Sequence, residues 1–166
     1  MHTALTLTRS RLRRPRLVAL AVTMLLAALG SSASMASAAV PPGTTLFSRT
    51  DVELSECTGR INTGYNVTAG QNVEVVANPN RQIWAGIWFT GNNGPAGWTS
   101  LGNSQTPAPQ FRAFSLLTRV GTDYRYIGNG ASFRATTSGP LYLVINDDVY
   151  CNGNGSFMID SVKVTA

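Results

Sequence analysis

Residues 146–155 read Asn-Asp-Asp-Val-Tyr-Cys-Asn-Gly-Asn-Gly. Within nine positions they offer five oxygen-bearing side chains, those of Asn146, Asp147, Asp148, Asn152 and Asn154, and the glycines let loop carbonyls turn inward. Carboxylates, amides and backbone carbonyls are the hard donors that calcium takes, six to eight at a time. The adjacent Asp147 and Asp148 carboxylates repel, and a cation would relieve that repulsion. The stretch is not an EF-hand. Counted from Asp148, Ile159 stands where the bidentate Glu belongs, and no helical pattern flanks it. The competing reading is a polar turn, because Asn, Asp and Gly are ordinary turn residues.

Other chemistries are thinly supplied. The one histidine is His2, and Lys163 is the one lysine. Residues 1–38 read as a secretory signal peptide. Arg9, Arg11, Arg13, Arg14 and Arg16 precede an apolar run, Leu17 to Leu29, broken by Thr23, and the small residues that follow end in Ala36-Ser37-Ala38. The run is about 13 residues, whereas a membrane-spanning helix needs roughly 20. Arg13-Arg14 leaves Sec and twin-arginine export both open. Cleavage after Ala38 gives a secreted, extracellular chain with no membrane anchor and no histidine, which removes Ser-His-Asp and Cys-His catalysis and His-ligated zinc. Five of the 13 basic residues lie in the leader, and the other eight balance the eight acids. The chain's formal charge of +5 therefore belongs to the leader, and binding to nucleic acid has no basic run to rest on.

The element that must deliver residues 146–155 is Leu141-Tyr142-Leu143-Val144-Ile145, apolar on both faces as a central strand is. Residues 39–43 read as a short disordered start and 44–166 as one domain. Strands are expected at 44–54, 60–67, 72–77, 83–90, 111–120, 123–128, 131–136, 140–146 and 156–165, divided by turn clusters, with no sustained helical period. Gly121-Thr122-Asp123 closes one hairpin, and Asn129-Gly130 carries the strongest two-residue hairpin signal. In the last strand Phe157 and Ile159 share one parity and Val162 and Val164 the other, so a bulge near Asp160-Ser161 would return all four to one side. Eight or nine short antiparallel strands make an all-β sandwich or jelly roll. The irregular stretch 91–110 holds Trp98, with Trp84 and Trp88 just before it, and has the composition of a binding edge. The alternative is that Trp84 and Trp88, at one strand parity, fill the core.

Several segments in order resemble the PA-IL-type bacterial galactophilic lectins and related secreted jelly-roll modules. They are Thr63-Gly64-Tyr65-Asn66-Val67-Thr68-Ala69-Gly70-Gln71 with Val73, Val75 and Trp84; Gly94-Pro95-Ala96-Gly97-Trp98; Leu117-Thr118-Arg119-Val120-Gly121; and Leu141 to Asp148 followed by Gly155-Ser156-Phe157. The resemblance spans about residues 60–165. It implies calcium-dependent binding of galactoside-type glycans, in which two sugar hydroxyls complete the metal shell, and it leaves self-association open. It places the acidic ligand on Asp147, a loop carbonyl near Val149, an amide ligand on Asn152 and a further carbonyl near Ile87. The second amide position falls on Gly153, which has no side chain; Asn154, one position later, and Asp148 are the substitutes. The family's sugar-contacting histidine has no counterpart. Sugar contacts are expected from Asp147, Asn152 and Trp98.

Two cysteines in an exported chain allow one intramolecular pairing, Cys57 with Cys151. An enzyme is the weaker reading. Glu53 with Glu56, or Asp147 with Asp148, are the carboxylate pairs a glycosidase would need, but adjacent strand residues face opposite ways. The stronger rival is a secreted structural or protein-binding sandwich that has lost metal and sugar, since such folds host many functions.

Overall fold

The computed structural model describes residues 40–166, so the signal-peptide reading of residues 1–38 lies outside the described residues. These form ten strands and no helix: β1 (Thr45–Ser55), β2 (Arg60–Val67), β3 (Asn72–Ala77), β4 (Ile83–Trp84), β5 (Asn92–Asn93), β6 (Leu116–Val120), β7 (Asp123–Tyr126), β8 (Gly130–Arg134), β9 (Gly139–Ile145) and β10 (Asn154–Thr165). All pairings are antiparallel. One sheet runs β5-β4-β10-β3-β8 with β1 on the free side of β10, and the other runs β2-β9-β6-β7. The expected β-sandwich is the fold, with eight strands of four residues or more and two of two residues.

Alternation sets the core. Val73, Val75 and Ala77 of β3 and Leu141, Leu143 and Ile145 of β9 turn inward between the sheets with Val52, Leu54, Phe157 and Ile159. The expected bulge is present. Between Ile159 and Ser161 the β10 register shifts against β3, and Val162 and Val164 return to the buried face. β9 is apolar on both faces because both are covered. Val144 packs outward with Leu117 under Ala108 and Phe111.

Four expectations need correction. The strand expected at 83–90 stops at Trp84, because Gly86 takes φ +76° and turns the chain; β5 then returns to pair with β4. Trp88 therefore leaves the core and is 86% exposed. The strand expected from 111 begins at Leu116, since Phe114 adopts φ +60° and breaks the extension. Asn129-Gly130 makes no hairpin: β7 pairs with β6 and β8 with β3, so the turn crosses between sheets. The chain at 41–44 is a turn rather than a disordered start. Thr44 N–H bonds to the Pro41 carbonyl, and Gly43 N–H to the carbonyl of Ala166.

Candidate functional site

The antiparallel order gathers the long connections at one end of the sandwich, 78–82, 85–91, 94–115 and 146–153, beside the short 56–59 turn. β9 delivers the last of these, and neighbours hold it on both sides. The Tyr150 ring lies flat on Gly59, where any Cβ would overlap it, and its hydroxyl donates to the Ile145 carbonyl at 3.1 Å. Cys151 joins Cys57 in the expected disulfide. On the other flank the Asn152 side chain sits against Gly86, and Gly153 lies on the Trp84 carbonyl with no room for a Cβ.

Asn146, one of the five oxygen-bearing residues, has its side chain taken up within the protein. It is buried, its Oδ1 accepts from Ala108 N–H at 3.0 Å, and its Nδ2 lies within bonding distance of the carbonyls of Ala108, Phe111 and Arg112. Asn146 is a clamp for the 106–112 segment. Only the topology, which places Asn146 beside a segment 34–38 residues away, reveals this role.

Asp147 is 2% exposed. Its Oδ1 accepts from Val149 N–H at 3.3 Å, and Oδ2 has no donor. Burial pushes the carboxyl up to about 7. The Val149 N–H opposes this, and the neighbouring Asp148 adds to it. Protonated, Asp147 can donate to Asp148; ionised, its Oδ2 is left without a partner. Asp148 is half-buried and takes a hydrogen bond from Asn103 Nδ2 at 2.6 Å. The two carboxyls are close enough to interact, which strand alternation alone does not anticipate. Tyr150 is pushed up to about 12, first by burial and then by Asp147.

The donors named by the resemblance are unevenly placed. Val149 and Asn152 lie on the same docked loop as Asp147, and Asn152 reaches Gly86, next to Ile87. The Ile87 carbonyl already accepts from Thr90 N–H at 3.1 Å and Thr90 Oγ1 at 2.9 Å. Asn154 is exposed in β10 opposite Trp84. The orphaned Asp147 Oδ2 and its hard-oxygen neighbours suit a calcium ion in kind. In number they fall short of six to eight, so water or ligand oxygens would supply the rest.

An aromatic ridge rims the same end. Phe89, 59% exposed, stands between Trp88 and Trp98, with ring centroids 5.7 Å from each. Trp98 is half-buried against the core. Its N–H bonds to the Ala113 carbonyl, while Phe114 N–H bonds to the Asn146 carbonyl, which ties the ridge to the 146–153 loop. The sequence reading missed Phe89 and left Trp88 between the binding edge and the core; its exposure favours the edge, and Gly86 and Gly91, which flank Trp88 and Phe89, were the available signal. Of the other carboxylate pair, Glu53 is exposed on β1 and accepts from Ser156 Oγ at 2.6 Å, whereas Glu56 is fully buried. That placement gives them no shared cleft.

No protein-family model and no curated protein sequence matches the chain. Among solved structures it is similar to the N-terminal domain of EclA, described as a PllA-like lectin, with a TM-score of 0.52 and 22% identity over 73% of this chain and 96% of that one. The likeness is one of fold, the two-sheet β-sandwich, and the PA-IL type is not singled out.

Proposed function

We propose that this protein is a secreted carbohydrate-binding protein that takes glycans at the loop end of the sandwich. The observation that carries the reading is the buried Asp147 carboxylate, whose Oδ2 has no partner within the protein, on a loop tied to an exposed aromatic ridge. A buried carboxylate oxygen without a donor is costly and calls for a cation or a hydroxyl. Sugar hydroxyls are such donors, and the faces of Trp88, Phe89 and Trp98 suit the apolar C–H side of a pyranose. In this reading Asp147, Val149 and Asn152 hold a calcium ion, with Asp148, Ile87 and Asn154 as further candidates. The ion would orient two vicinal hydroxyls of a galactoside-type glycan, and Asp147 would be ionised when it is bound.

The test is a thermal melt in calcium, followed by a glycan array with and without chelator. Extracellular calcium sites bind at roughly 10⁻⁴–10⁻³ M. A ligand at 100 times its Kd adds about 2.7 kcal/mol. Stabilisation by about 10 mM calcium and chelator-sensitive glycan binding, both lost in Asp147→Ala, are expected. Glycan binding that survives chelator would retain the sugar and discard the metal. A second reading, a structural or protein-binding sandwich, is favoured by the closure of Gly153 onto Trp84 and by the engaged Ile87 carbonyl. It wins if neither calcium nor any glycan binds.

A further inference from the structure

The outer face of the β2-β9-β6-β7 sheet carries a second candidate surface, adjoining the 146–153 loop: Tyr142 and Val144 precede that loop in β9, and Asn146 bonds to the Phe111 and Arg112 carbonyls. Across the strands Arg119 lies opposite Tyr142 and Tyr124, and Leu117 lies opposite Val144 and Tyr126. Phe111, Tyr124, Tyr126 and Tyr142 all pack on one buried group, Ala108, Leu117 and Val144, and so share one apolar base. Where the 101–112 segment leaves this face, a pocket of about 290 Å³ opens, lined by Leu101, Gln110, Phe111, Arg112 and Tyr126.

The pocket is built from fixed parts. The Tyr126 hydroxyl donates to the Ala96 carbonyl at 2.9 Å, and its ring lies 6.2 Å from that of Phe111. A bridge between Leu101 and Arg112 and the Asn146 clamp hold the rim. Leu101 stays 63% exposed there, an apolar side chain without cover. Two arginines mark this face. Arg112 lines the pocket and Arg119 lies 4.4 Å from the Tyr142 ring centroid and 5.8 Å from that of Tyr124. Among the described residues the ion pairs are Arg81–Glu53 and Arg125–Asp123, so neither arginine is neutralised by a carboxylate.

We infer that this face is a second ligand site, and that it takes an acidic saccharide of the uronic-acid class. A guanidinium recognises a planar carboxylate through paired hydrogen bonds. Tyrosine and phenylalanine faces accept the C–H side of a sugar ring. The volume lies at the bottom of the small-ligand range, suited to about one ring, with Gln110 placed for hydroxyls. Single-stranded nucleic acid also uses aromatic platforms beside cations, but it needs a basic track along the backbone. Two arginines on a chain whose described charges balance make a poor one.

The test is calorimetric titration of the purified protein, in chelator, with trigalacturonate, with its methyl ester and with oligothymidylate. Trigalacturonate should bind at least ten-fold more tightly than its ester. Arg112→Gln should weaken it at least ten-fold, and the exposed position should leave the melting temperature unchanged. Arg112→Glu is the reserve variant and should abolish binding. Asp147→Asn should leave it intact, so a failure here and a failure of the loop-end site are read separately. Equal binding of acid and ester, indifference to both Arg112 variants, or tighter binding of oligothymidylate would overturn the assignment.

Discussion

The two ends of the sandwich are built by different means. At the end that carries β1's start and β10's finish, the connections are short. Thr68–Gln71 is a turn in which Thr68 N–H bonds to Gln71 Oε1, and Gly121-Thr122 closes the β6–β7 hairpin with Gly121 at φ +58°. At the other end the chain is held by partners far away in sequence. Cys57 binds Cys151, Tyr150 lies on Gly59, Gly153 lies on Trp84, and Asn146 holds Ala108. The short-turn end is specified by local backbone preferences. The long-loop end is specified by the fold, and there the unpartnered carboxylate oxygens of Asp147 and Glu56 and the exposed aromatics survive because a rigid scaffold tolerates them.

The sharpest way to break this contrast is at the disulfide. The loop it closes spans 94 residues, and the chain-entropy model sets the stabilisation at up to about 4.7 kcal/mol. Cys57→Ser with Cys151→Ser should cost about 3–4 kcal/mol in urea unfolding. Hydrogen exchange should show protection lost first in 146–153, with the strands near Thr68–Gln71 unaffected. Uniform loss across both ends would refute the division.

Next comes Asn146→Ala. Ala108 N–H loses its acceptor, while the carbonyls of Ala108, Phe111 and Arg112 keep the N–H of Phe111, the N–H of Gly102 and the hydroxyl of Ser115. One orphaned buried donor plus the vacated amide should cost about 3 kcal/mol. The matching change at the short-turn end is Thr137→Ala, which removes a hydroxyl bond to the Val120 carbonyl. It should cost about 1 kcal/mol or less.

The same division governs what the sequence discloses. The bulge at Asp160 was legible because the parity of Phe157 and Ile159 against Val162 and Val164 is a local pattern. The β6–β7 hairpin was legible from Gly121-Thr122, and the disulfide from having two cysteines. The stop after Trp84 was only hinted at by Gly86, because Asn152, which packs on that glycine, lies 66 residues downstream. Asn129-Gly130 misled for a related reason. Its local preference is for a tight turn, and which sheet each flanking strand joins is a long-range decision. Within the site, Asp147 was found by residue type, yet its burial and the role of Asn146 depend on packing that no short window contains.

A smaller effect separates Asp147 from the paired acids. Its carboxyl rises from 3.8 to about 7 on folding, so the folded state holds the proton more tightly than the unfolded chain. That contribution is fully present below about pH 4 and is lost as pH climbs to about 7. Asp147→Asn should flatten the decline and stabilise the protein above about pH 7, measured by melts across pH. Calcium, if it binds as proposed, should flatten the wild-type profile and leave the variant's unchanged.

The smallest expected change in stability is at Trp88, and its smallness is informative. Trp88 is 86% exposed at the tip of a turn and touches Phe89 edge-on, so Trp88→Ala should shift stability by less than about 0.5 kcal/mol. Trp98 is half-buried against the core, and Trp98→Ala should cost about 2 kcal/mol through lost packing. If the loop end binds glycans, Trp88→Ala should weaken binding several-fold while the melting temperature stays fixed. An unchanged glycan affinity in Trp88→Ala would move the stacking contact to Phe89 or Trp98. A drop in stability of more than about 1 kcal/mol would mean that the ridge belongs to the core after all, and that the two ends differ less than their connections suggest.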